Sequence, residues 1–183
     1  MAALALAAAV ATQSPAQVAP AAGSANARTE RPSAVRLLAP GLAVQGEGEL
    51  RWLGLAVYHA RLWAPPDGWR ANEPFALEIR YARSIRGERL ASTSVDEMRH
   101  MSAGTEAQRQ RWGEAMRAVF PDVGDGDHLI GLAAPGAATR FFVNGKPIGE
   151  IDDPAFGPAF FGIWMSPATS RPELRRMLLG QGR

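Results

Sequence analysis

The sequence predicts an α+β domain, a mainly antiparallel β-sheet with helices packed on one face, and three observations carry that prediction. Period-two alternation runs through residues 48–63 and 75–81, the period lengthens to that of a helix from Arg86, and short alternating segments joined by turn signals return after Asp127. Strands and helices in separate blocks indicate segregated layers rather than a parallel sheet with alternating helices.

The elements follow in order. Leu50, Trp52, Ala56, Tyr58, Ala60 and Leu62 share one face and Arg51, His59 and Arg61 the other, as one strand or as two joined at Gly54. The approach, Arg36 to Gln45, holds a Pro40-Gly41 turn, and Ala64-Pro65-Pro66-Asp67-Gly68 ends the strand pair. Phe75, Leu77, Ile79 and Tyr81 alternate with Ala76, Glu78, Arg80 and Ala82, predicting a half-buried strand. Leu90, Ser94, Met98 and Met101 then recur at helical spacing, and a second helix runs from about Glu106 to Phe120 with Trp112, Ala115, Met116 and Val119 on its apolar face. Pro121 stops it.

Residues 129–134, 139–143 and 148–151 read as short strands joined by Pro135-Gly136 and Asn144-Gly145, the second a strong hairpin signal. Phe156, Phe160, Phe161 and Trp164 are spaced as a helix, and Ser170-Arg171-Pro172-Glu173 reads as an N-cap box opening a last helix that Gly180 ends. The domain is expected over residues 35–181.

Residues 1–27 precede it and read differently. Met1 to Ala11 are almost purely Ala, Leu and Val, and Ala/Pro/Gln/Ser-rich sequence follows, as in a secretory signal with a loose leader. No charge occurs before Arg28, so the usual basic start is missing and a low-complexity tail is the alternative. A periplasmic or secreted protein is expected. The run is too short and alanine-rich for an integral membrane span, which needs about 20 apolar residues.

Composition narrows the function classes. The chain has no cysteine, so disulfides are excluded, and 20 Lys+Arg stand against 18 Asp+Glu. The bases are spread along the chain without the basic stripe and stacking aromatics of a nucleic-acid surface, so no nucleic-acid partner is expected. His59, His100 and His128 are widely spaced, which argues against a metal site. Asp122-Val123-Gly124-Asp125-Gly126-Asp127 lacks calcium-loop spacing and reads as a solvated turn. Neither a Gly-x-Ser-x-Gly elbow nor a phosphate loop is present, and no cofactor is expected.

Three separated blocks resemble one family. Trp52-Leu53-Gly54-Leu55-Ala56-Val57-Tyr58 is similar to a strand of the chalcone isomerases. Phe142-Val143-Asn144-Gly145-Lys146-Pro147-Ile148-Gly149 with Phe156, Ala159 and Phe160 resembles their final hairpin and helix, and Leu174 to Gly180 their C-terminal helix. The segments Tyr58 to Trp63 and Phe160 to Trp164 resemble most the bacterial, exported chalcone isomerase-like proteins. The likeness runs from about Leu37 to Gly180 and implies the fold already predicted.

The resemblance also implies a chemistry and then undercuts it. Plant chalcone isomerases close a ring by adding a phenolate to an enone, using an arginine, a threonine, a tyrosine and an asparagine. Those positions fall here at Gly41, Leu53, Leu90 and Glu97. Loss of one oxyanion donor costs about 10² to 10³ in rate. The resemblance therefore implies a domain that binds a hydrophobic small molecule, such as a fatty acid, in a cleft between sheet and helices, without catalysis.

Trp52, Leu53, Tyr58, Arg80, Tyr81, Leu90, Trp112 and Phe141 are the candidate ligand-binding residues, with Arg80 and Arg83 placed to hold a carboxylate at the mouth. Simple core packing explains most of the aromatics, Trp164 included. Two rival readings stand: an intramolecular lyase using Tyr58, Tyr81, Arg80 or His59 as acid and base, and an envelope scaffold or accessory protein presenting exposed tryptophans such as Trp63.

Overall fold

A computed structural model describes residues 31–181, so the leader expected over 1–27 lies outside the described residues. Six strands form one sheet in sequential order, every neighbouring pair antiparallel. They are β1 (Ala43–Trp52), β2 (Leu55–Ala64), β3 (Phe75–Tyr81), β4 (His128–Ala133), β5 (Thr139–Val143) and β6 (Lys146–Ile151). The helices are α1 (Ser33–Leu38), α2 (Gly87–His100), α3 (Glu106–Val119), α4 (Phe156–Met165) and α5 (Pro172–Leu178).

The opening segment is two strands, not one. Leu53 (φ 50°) and Gly54 (φ 80°) are both left-handed, the pair of conformations a two-residue type I′ hairpin needs. Asn144 (φ 50°) and Gly145 (φ 79°) make the same turn between β5 and β6.

The main core lies between the sheet and α2 to α5. Leu62, Leu77, Ile79, Leu129 and Phe141 meet Met98, Trp112, Met116, Phe156, Phe160 and Leu178 there. Trp112 donates from Nε1 to Asp153 Oδ2 at 2.8 Å, and Thr105 and Gln108 form a reciprocal capping box that starts α3. At α5, however, Arg171 is the N-cap position and no side chain caps it. The Ser170 hydroxyl expected to do so donates instead to Glu97 Oε2 at 2.7 Å, across the gap to α2.

The opposite face of the sheet is also covered, and this departs from the half-buried β3 expected from alternation. α1, which no periodicity in the sequence announces, places Ala34 and Val35 in a second cluster with Leu42, Trp63, Ala76, Ile130, Leu132 and Phe142. Glu78 is buried among them at 5% exposure. It accepts from Trp63 Nε1 at 3.1 Å, lies 3.1 Å from His128 Nδ1, and has Arg61 at 3.9 Å. Trp63, expected to be exposed, is thus buried and hydrogen-bonded.

Burial alone would raise the Glu78 pKa, but the hydrogen bonds from His128 and Trp63 and the Arg61 charge outweigh it, and the net shift is below the ordinary 4.5. A depressed folded-state value means the stabilisation is complete above pH 4.5 and is lost as pH falls through the folded value. Glu78→Gln is therefore expected to flatten the loss of stability below pH 4.5 in thermal melts across pH. An acid limb of unchanged steepness would assign that loss to other carboxylates.

The acidic loop before β4 spends its side chains on structure. Asp122 Oδ1 accepts from Gly87 N at 2.8 Å, and Asp127 accepts from Gly124 N at 2.7 Å and Asn144 Nδ2 at 2.8 Å. No three His, Cys, Asp or Glu side chains converge as a metal site among the described residues. Nor is any described helix long and apolar enough to cross a membrane.

Candidate functional site

A cavity of about 970 Å³ opens between the sheet, α2 and α4. That is the upper end of the range for small-molecule sites, about 300–1,000 Å³. Its origin is local. β3 points Leu77, Ile79 and Tyr81 at the helices by strand alternation, while β4 answers with Leu129 and then Gly131, which has no side chain to fill the space. A Cβ on Gly131 would stand 3.0 Å from the Phe161 ring, so the glycine lets α4 sit close while the cavity stays open. α2 roofs it with Leu90, Ser94 and Glu97.

The floor and the rim differ in character. Leu77, Ile79, Tyr81, Phe120, Leu129, Phe160, Phe161 and Ile163 are all buried. Arg83, Ser84, Arg86, Glu88, Arg89 and Thr93 are exposed at the rim, with Arg171 and Trp52 beside them. Four arginines thus face two glutamates, Glu88 and Glu97, and Glu97 already accepts from Ser170.

One wall carries the polar groups. Trp164 Nε1 donates to the Tyr58 hydroxyl at 2.9 Å, and the Tyr58 and Tyr81 rings meet edge to face at 6.4 Å. Burial pushes the Tyr58 hydroxyl up to about 12, only partly opposed by the Trp164 hydrogen bond and the Arg171 charge. Burial likewise raises Tyr81, and the neighbouring Tyr58 adds to it. Both are neutral phenols at physiological pH. Each keeps a proton to donate, and neither is a phenolate base. The Ser94 hydroxyl donates to Leu90 O at 2.9 Å and that of Ser92 to Arg89 O at 3.2 Å, so these protons are committed to the α2 backbone.

Of the residues singled out from the sequence, the structure brings Trp52, Tyr58, Tyr81, Leu90 and Glu97 to the cavity, together with Arg83 and Trp164. Leu53 is in the hairpin turn, 86% exposed, and Gly41 is in the turn after α1, so neither lines the cavity. Their identities therefore say nothing about its polarity. Arg80 and His59 are register partners on the reverse face, one step from the Tyr58–Tyr81 pair, and the sheet stands between them and the cavity. An acid–base set combining both pairs is thereby excluded. Trp112 and Phe141 are core: Trp112 packs edge to face on Phe156, and Phe141 on Phe120 and Phe160.

Arg86, Arg89 and Arg171 are rim residues that no sequence pattern singles out. The first two surround the start of α2, where the only available signal is their spacing around a helix whose first turn faces a loop.

Comparison with known proteins agrees with this architecture. The chalcone isomerase-like family matches residues 33–180. An uncharacterized protein of Haemophilus influenzae is 31% identical over 138 residues, spanning 74% of this chain and 67% of that relative. Among solved structures, an Arabidopsis thaliana fatty-acid binding protein matches with a TM-score of 0.61 over 78% of this chain and 88% of its own, at 10% identity, a likeness of fold. The chain belongs to the chalcone isomerase-like family.

Proposed function

We propose that the protein binds a hydrophobic small molecule with one polar end, a fatty acid being the first choice, in the cavity between sheet and helices, and does not turn it over. The observation that carries this is the cavity's division into a buried apolar floor and an arginine-bearing rim. A chain of about ten buried methylenes gains roughly 8 kcal/mol before the costs of association, and an arginine at the mouth suits a carboxylate. The fold shared with the Arabidopsis thaliana fatty-acid binding protein supports the reading. So does Leu90, an apolar side chain that lines the cavity and that the resemblance sets where the plant enzymes carry a tyrosine.

The test is extraction and mass analysis of the purified protein, with titration of the stripped protein by cis-9-octadecenoate. Binding of one molecule per chain at about 10 µM or tighter is expected. An isomerase keeps standing as the alternative because Tyr58 and Tyr81 meet in the cavity. Turnover of a chalcone that is abolished by Tyr81→Phe would establish it and end the non-catalytic reading.

We further propose export to the periplasm or beyond, supported by the Ala/Leu/Val composition of Met1 to Ala11. Intact mass of natively expressed protein checks it: loss of the N-terminal segment is expected, and Met1 retained in the cytosolic fraction would contradict it.

A further inference from the structure

The β1–β2 hairpin ends in an apolar cluster that packing does not explain. Trp52 is 55% exposed, Leu53 86% and Leu55 64%. Leu53 also occupies a left-handed conformation that disfavours a bulky branched side chain and that asparagine tolerates. The β5–β6 hairpin makes the identical turn with Asn144-Gly145. At the β1–β2 tip the chain therefore presents leucine to solvent where a polar residue would fold more easily, so the side chain serves something other than folding.

The tip stands at the cavity mouth. Trp52 lines the rim, Arg171 lies over its ring with Cζ 5.7 Å from the centroid, and Ala82 N donates to Val57 O at 3.0 Å, tying the loop that carries Arg83 to the hairpin. An apolar tip with Arg171 over Trp52 and Arg51 donating to Gly54 O at 3.1 Å matches the boundary of an anionic bilayer, where leucine enters the acyl region, indole prefers the interface and guanidinium groups meet phosphates.

We propose that the Trp52-Leu53-Gly54-Leu55 tip inserts into the surface of an anionic lipid bilayer and sets the cavity mouth against it. The physical basis is independent of the binding reading. The use rests on that reading: a chain-like ligand then moves between membrane and cavity without crossing water.

The experiment is sedimentation of the full chain with vesicles of phosphatidylcholine alone and of phosphatidylcholine mixed with phosphatidylglycerol, at low and high salt. It is repeated with Leu53→Asn/Leu55→Ser, neither residue lining the cavity. Wild type is expected to sediment with the anionic vesicles and to be released by salt. The double variant is expected to partition about tenfold more weakly while binding octadecenoate in vesicle-free solution as wild type does.

The proposal is overturned by an absence of binding to anionic vesicles, by equal binding to neutral ones, or by undiminished binding of a folded double variant. Self-association through the tip without vesicle binding overturns it as well. Docking by a wild-type chain that fails to bind octadecenoate in solution would support the tip's role and remove the ligand reading alone.

Discussion

Gly46→Ala is expected to destabilise the protein by about 3 kcal/mol or more, lowering its Tm by about 10 °C. A Cβ on Gly46 would overlap the carbonyl oxygens of Met177 and Leu178, both backbone atoms in the last turn of α5. Backbone cannot rotate aside, so α5 must lift from β1, and Leu174 and Leu178 leave the core with it. Gly48 makes the instructive contrast. There the two nearest atoms an added Cβ meets are Leu174 Cδ1 and Met177 Cε, side-chain ends that can swing aside, and only Met177 Cβ at 3.0 Å is held by backbone, so Gly48→Ala is expected to cost about 1–2 kcal/mol. Differential scanning calorimetry of the two variants checks the order. Equal costs would show that α5 does not bear on Gly46 as described.

The second large effect concerns the cavity. Leu90→Trp/Ser94→Phe is expected to weaken octadecenoate binding at least about 30-fold while leaving the fold intact. Both residues roof the cavity from α2 and are half-buried, so larger side chains there extend into empty volume instead of displacing packed neighbours. Excluding two or three methylenes from burial removes about 2 kcal/mol, which is the stated factor. Titration calorimetry measures it. Unchanged affinity would place the ligand elsewhere.

The fold was legible where a pattern had one cause. Phe75, Leu77, Ile79 and Tyr81 recur at every second position because that face meets the helices, and Asn144-Gly145 marks a turn because both residues tolerate positive φ. It was illegible where two causes overlap. Glu78 looks like a solvent-facing residue in the alternation, yet it is buried, because Trp63, His128 and Arg61, all distant in sequence, supply its partners. The joint at Gly54 is one of the two readings the alternation allows and is the one found, but Leu53 has the chemistry of a strand residue and shares the turn, since register with β2 rather than propensity decides it.

The site divides in the same way. Tyr58, Tyr81 and Leu90 follow from strand and helix periodicity, which assigns them to the covered face. Arg80 and Arg83 are equally plausible from composition, but β3 ends at Tyr81. Arg80 therefore keeps the strand's reverse orientation, while Arg83 lies past its end, at the rim. Arg171 reaches the same rim from α5, an approach that only the tertiary fold reveals. The polar wall too is a long-range product, joining Tyr58 on β2 to Trp164 on α4 and Glu97 on α2 to Ser170.

The cavity is proposed as a site for a chain-like hydrophobic ligand. Titration of the stripped protein with cis-9-octadecenoate, followed by calorimetry and by the fluorescence of Trp52 and Trp164 at the cavity, tests it most directly. One molecule is expected to bind per chain at about 10 µM or tighter, with a tryptophan emission shift that saturates at the same ratio. No heat and no spectral change, with no lipid recovered from the protein as purified, would contradict it.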